Sequence, residues 1–88
     1  MGVINSAIFT ILERFPESKD TIKRLYCTSI DFQILCEDLC KCDRALAYWA
    51  QSAKADAPER QEEYQALQRE LENEINRFLD EAESKTVQ

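Results

Sequence analysis

Hydrophobic residues recur at intervals of three and four along most of this 88-residue chain, which is the period of an amphipathic α-helix. The longest regular run extends from Phe32 to Ala53, where intervals of three and four alternate without a break. Such a heptad seam predicts one continuous helix over residues 30–52. Its members are Phe32, Leu35, Leu39, Cys42, Leu46, Trp49 and Ala53.

A second long stripe predicts a helix over residues 58–84, with Pro58 in its first turn, where proline is tolerated. The stripe consists of Tyr64, Leu67, Leu71, Ile75, Phe78 and Ala82. Because the segment between the two long helices is short, we expect them to pack antiparallel. Matching the two stripes end to end places Trp49 opposite Tyr64 and Phe32 opposite Ala82.

Two shorter helices are predicted before this hairpin, over residues 3–15 and 18–27. Pro16 ends the first, since the residue before a proline avoids the α-helical conformation, and Ser18 is a suitable cap for the second. One glycine and two prolines are few turn residues for a sheet protein. The predicted fold class is all-α, a long antiparallel helical hairpin preceded by two short helices, in a single domain over residues 1–88.

Large hydrophobic residues that the hairpin does not use predict an interface. The first short helix carries a wide apolar face, and three further residues lie off the main faces of their helices. The candidate interface residues are Ile4, Ile8, Phe9, Ile11, Phe15, Ile30 and Ile34. We expect a homo-oligomer or a complex with a protein partner. The first helix is expected to complete the core, either within its own chain or across a dimer, and a neighbouring chain is the favoured cover.

The net charge of −6 bears on the class of partner. An acidic domain is repelled by the phosphates of nucleic acid and by anionic membrane surfaces, so we expect neither to be a partner. No stretch reaches the roughly 20 apolar residues of a membrane span. Residues 1–12 lack the basic segment of a secretory signal, so we expect a cytoplasmic protein with reduced thiols.

Three of the four cysteines fall within seven residues, in the stretch CEDLCKC. Cys36 and Cys40 are helical neighbours on one flank, whereas Cys42 lies about 200° from Cys40 around the helix. The thiols of an unbroken helix therefore do not converge on one tetrahedral metal ion. Two interpretations stay open: packing cysteines, or a thiol-based redox or metal sensor that uses Cys36 and Cys40.

Other chemistry is poorly represented in the sequence. There is no histidine for a Cys-His or Ser-His pair, and the one glycine, Gly2, excludes a glycine-rich phosphate loop. The acidic run after Pro58 is typical of a solvated helix face. We therefore predict no catalytic residue, no cofactor and no metal, and a non-enzymatic interaction or assembly module.

Three segments carry a resemblance to a known family. "RFPESKDTIKRL", "DFQILCEDL" and "EYQALQRELENEI" make residues 14–80 similar to the YdcH-like family of small bacterial helical hairpins. The chain departs from that pattern in its apolar first helix and in its cysteines. The resemblance implies a helical-hairpin fold and no established activity, so it supplies no functional residues.

Overall fold

The computed structural model describes residues 6–86, and the side chains of residues 7–84. These residues form four α-helices and one short 3-10 helix, without a strand among them. The helices are α1 (Ser6–Arg14), α2 (Lys19–Thr28), α3 (Ile30–Ala50) and α4 (Ala57–Thr86), and the 3-10 helix is Pro16–Ser18 between α1 and α2. The predicted fold class is confirmed.

The two long helices pack antiparallel. Two of the facing pairs expected from the stripes line common cavities, Leu35 with Phe78 and Cys42 with Leu71. The Phe32 ring lies edge-on to the Phe78 ring, with centroids 5.7 Å apart, so Phe32 contacts a position one turn before its predicted partner Ala82. Helix α3 ends at Ala50 and α4 begins at Ala57, both earlier than predicted.

The start of α3 is fixed by a side-chain cap. The Ser29 hydroxyl accepts a hydrogen bond from the backbone N–H of Phe32 at 3.1 Å, which satisfies one of the free donors of the first turn. Ser29 itself is extended, with φ −127° and ψ 114°. The chain therefore changes direction between α2 and α3 with a single residue between the two helices.

The core receives side chains from all four helices. Its largest fully buried members are Phe32, Ile11, Ile22, Leu39, Ile75 and Cys36. Ile11 of α1 is 0% exposed within a single chain. Of the two alternatives for the first helix, packing within its own chain is confirmed, because α1 packs on α2 and α3. Association with another chain stays a prediction.

The molecule is an elongated body measuring 53 × 32 × 20 Å. The smallest dimension is about two helix diameters, so the helices form two layers, with α1 and α2 stacked on one side of the α3–α4 hairpin. The other side of the hairpin faces solvent. Within residues 6–86 no helix is long and apolar enough to cross a membrane.

Candidate functional site: an open groove along the hairpin

The seven candidate interface residues differ in how far the structure buries them. Ile11 belongs to the core, and Ile8 and Phe15 are partly buried against it. Ile4 lies outside the described residues. Three side chains remain in solvent: Phe9 is 52% exposed, Ile30 is 72% exposed and Ile34 is 49% exposed. Ile30 and Ile34 lie one turn apart on the same face of α3, while Phe9 is on α1.

An ion-pair cluster holds α1 on one side of the hairpin. The Arg14 guanidinium contacts Asp43 of α3 at 2.7 Å and also pairs with Glu72 of α4. The side-chain amide of Gln68 donates to the same Asp43 carboxylate at 2.9 Å. Sequence reasoning missed this cluster because its members are far apart in the chain and have no common periodicity.

A first cavity of about 270 Å³ opens on the opposite side of the hairpin, between the middle of α3 and the first half of α4. Its lining residues are Asp38, Lys41, Cys42, Ala45, Tyr64, Leu67 and Leu71. Lys41 and Ala45 each lie two residues from Asp43, or about 200° around the helix, which turns them away from α1. Leu67 is 41% exposed, so the apolar wall of this cavity is open to solvent.

Two more cavities continue the first towards the start of α3. One, of about 290 Å³, is lined by Asp31, Ile34, Leu35, Glu74 and Phe78, and the other, of about 210 Å³, by Glu74, Arg77, Phe78 and Glu81. Ile34 lies one turn before Asp38 of the first cavity on the same face of α3, and the second and third cavities share Glu74 and Phe78. The three cavities follow one another along the hairpin and are together called the open groove. Between Asp31 and Ala45 it extends about 21 Å along α3.

The floor of the open groove includes one thiol with a defined partner. The Cys42 Sγ–H donates to the carbonyl oxygen of Tyr64 at 3.1 Å, across the two long helices. Burial raises the pKa of Cys42, and the neighbouring Asp43 carboxylate raises it further. The thiol is therefore held protonated as a packing group, and its predicted place on the seam is confirmed by its burial.

Cys36, predicted to lie off the seam beside Cys40, lies instead in the core and is 0% exposed. Cys36 is buried by tertiary packing, because α1 and α2 cover the flank of α3 that α4 does not contact. Burial raises the pKa of Cys36 to about 12, with a smaller contribution from Glu37. Cys40 is partly buried against the core and Cys27 is exposed. A protonated, inaccessible thiol is typical of a packing cysteine.

No cluster of three or more metal-ligating side chains was found among the described residues.

At the far end of the hairpin, the Lys54 ammonium lies 5.7 Å from the centre of the Trp49 ring and 5.9 Å from that of Tyr48. The two rings pack edge-on, with centroids 5.0 Å apart. Gln61 of α4 donates to the Trp49 carbonyl at 3.1 Å and fastens the two helices there. These contacts hold the loop together.

The open groove has an acidic rim. Asp31 and Asp38 lie on its α3 side and Glu74 on its α4 side, and none of them forms an ion pair with another described residue. Lys41 and Arg77 are the basic residues in the lining. An apolar floor between charged rims is an arrangement that can bind a protein segment with a matching pattern.

Comparison of the chain with protein-family models, with curated proteins and with solved structures found no match. The resemblance to the YdcH-like family stays a prediction. The open groove is therefore interpreted from its own geometry and charge.

Proposed function

We propose that this chain is a non-enzymatic helical interaction module of the cytoplasm, and that the open groove is its binding surface. The observation that carries the proposal is the exposure of large apolar side chains beside cavities that follow one another along the hairpin. Leu67 is 41% exposed on one wall and Ile34 is 49% exposed on the other. Apolar side chains grouped in a concave surface gain free energy when a partner removes them from water.

The core supports the same proposal, because it is already complete. The ten buried core residues come from all four helices. Two of them, Cys42 and Leu71, form the floor of the first cavity, whereas the exposed wall residues Ile34 and Leu67 lie outside this core. A partner can therefore bury the exposed side chains of Ile34 and Leu67 without disturbing the core. Membership of the YdcH-like family is a further part of the proposal, carried by the three resembling segments alone.

Site-specific photo-crosslinking in cells of the native host tests the proposal. A photoreactive side chain at Ala45 or Leu67 reports on the groove, and the same group at Asp80, an exposed position elsewhere on α4, is the matched control. We expect discrete cross-linked species from the groove positions and none from Asp80. Equal cross-linking at groove and control positions, or none at any, would show that the groove is not a binding surface.

A further inference from the structure

We infer that the occupant of the open groove is a basic amphipathic helix of another protein. This inference rests on the proposed function and specifies the chemistry of its partner. The shape of the groove gives the first argument. The cavity linings extend about 21 Å along α3, from Asp31 to Ala45, which matches about four turns of a third helix.

The lining of the groove gives the second argument. Ile34, Leu35 and Leu67 offer apolar contacts along the channel, at positions that an amphipathic helix meets with residues three and four apart. The cavities of about 270 and about 290 Å³ lie one after the other along this line. Each has room for large apolar side chains projecting from one face of a partner helix.

The charge of the groove rim indicates the charge that a partner helix should carry. Asp31, Asp38, Glu74 and Glu81 outnumber Lys41 and Arg77 in the lining. Glu70, exposed one turn before Glu74, adds a like-charge neighbour on the same face of α4. Lysine or arginine residues flanking the apolar face of a partner helix would neutralise these carboxylates.

The same charges disfavour a second copy of this chain as the occupant. Two open grooves placed face to face would bring their acidic rims together, and each chain carries a net charge of −6. Repulsion between like charges opposes such a dimer. A basic helix contacts the same apolar lining, and its positive charges are attracted to the acidic rim instead of being repelled by it.

Two synthetic peptides of about 18 residues test the inference. Both place leucine at helical positions i, i+3, i+4 and i+7. One carries lysine at the flanking positions and the other carries glutamate. Fluorescence anisotropy of each labelled peptide, titrated with the full chain, measures the dissociation constant. We expect the lysine peptide to bind at least tenfold more tightly than the glutamate peptide, and its affinity to fall as salt rises from about 50 to about 300 mM.

Charge reversal locates the binding on the protein. In the double variant Asp38→Lys and Glu74→Lys we expect binding of the lysine peptide to weaken at least tenfold and binding of the glutamate peptide to strengthen. The control is Asp80→Lys, which makes one such charge reversal at an exposed position of α4 outside the cavity linings and should leave both affinities within about twofold. Circular dichroism melts verify that every variant is folded.

Three results would overturn the inference: equal binding of the two peptides, no binding of either, or an unchanged affinity in the double variant. Cross-linking from Ala45 or Leu67 distinguishes this failure from failure of the proposed function. If those positions cross-link in cells while the peptides give an overturning result, the groove binds a partner of another kind. A cross-linked dimer of this chain would identify a second copy as the occupant.

Discussion

At the scale of single residues, two serines that look alike in the sequence have different roles. Ser18 and Ser29 each precede a helix, but only the Ser29 side chain accepts a backbone hydrogen bond. We expect Ser29→Ala to lower the free energy of unfolding by about 1 kcal/mol, because the N–H of Phe32 loses its partner. Ser18→Ala should change it by less than about 0.5 kcal/mol. Urea titrations measure both, and equal losses would contradict the assignment of the cap.

The thiol of Cys36 should make stability depend on pH. Its pKa in the folded chain is about 12, against an ordinary value of 9.0. Below about pH 9 the thiol is protonated in both the folded and the unfolded chain, so its titration does not reduce the free energy of unfolding there. As pH rises from about 9 towards about 12, the unfolded chain loses the proton first, so the free energy of unfolding falls by up to about 1.4 kcal/mol per pH unit.

Urea titrations from about pH 8 to about pH 10, with a reductant present, measure this fall. The same titrations on Cys36→Ala should show a shallower decline, because the variant lacks the titrating thiol. Cys27→Ala is the matched control, since Cys27 is exposed, and it should retain the slope of the unaltered chain. Parallel curves for the unaltered chain and Cys36→Ala would contradict the prediction.

At the scale of elements, α1 is held by one apolar face. Ile11 is 0% exposed and Phe9 is 52% exposed, although they lie two residues apart in the same helix. We expect Ile11→Ala to cost about 2–5 kcal/mol, because it leaves a cavity in the core. Phe9→Ala should cost less than about 1 kcal/mol. Thermal melts of the two variants measure the difference, and similar melting temperatures would show that α1 does not cover the core.

The Arg14 cluster is the polar counterpart of that apolar contact, and it ties α1 to both long helices. Arg14→Met should lower the free energy of unfolding by about 1 kcal/mol, a modest value because the paired side chains are partly exposed to water. The effect should shrink as salt rises, since ions screen the pairs. Urea titrations at low and high salt measure it. A loss independent of salt would mean that the arginine acts through its aliphatic stem.

At the scale of the whole molecule, packing of α1 within its own chain determines the effect of removing it. A chain that starts at Phe15 lacks Ala7 and Ile11, which are 2% and 0% exposed in the complete molecule. The apolar surface beneath them would then be uncovered. We expect the shortened chain to be less stable and to associate more strongly than the intact one. Sedimentation equilibrium and binding of a hydrophobic dye measure this, and weaker association of the shortened chain would show that α1 itself mediates contact between copies.

The sequence determined which segments are helical and that the long helices form an antiparallel pair. The periodicity of Phe32, Leu39 and Ile75 is sufficient for this, because an apolar stripe along a helix must be buried and a short loop lets two stripes bury each other. The sequence also placed Cys42 on the shared face. These features follow from the spacing of apolar residues along the sequence, because the geometry of the α-helix converts that spacing into a face.

Tertiary structure alone decided where the turn of the hairpin closes, the burial of Cys36 and which face of the hairpin stays open. Helix α3 ends at Ala50 and α4 begins at Ala57, and no periodic pattern specifies helix ends to within one or two residues. Cys36 is buried because α1 and α2 lie on its side of α3, and Arg14 holds α1 there through residues distant in sequence. Leu67 has the spacing of a core residue, yet it faces solvent because no other helix in the described part of the chain covers that side.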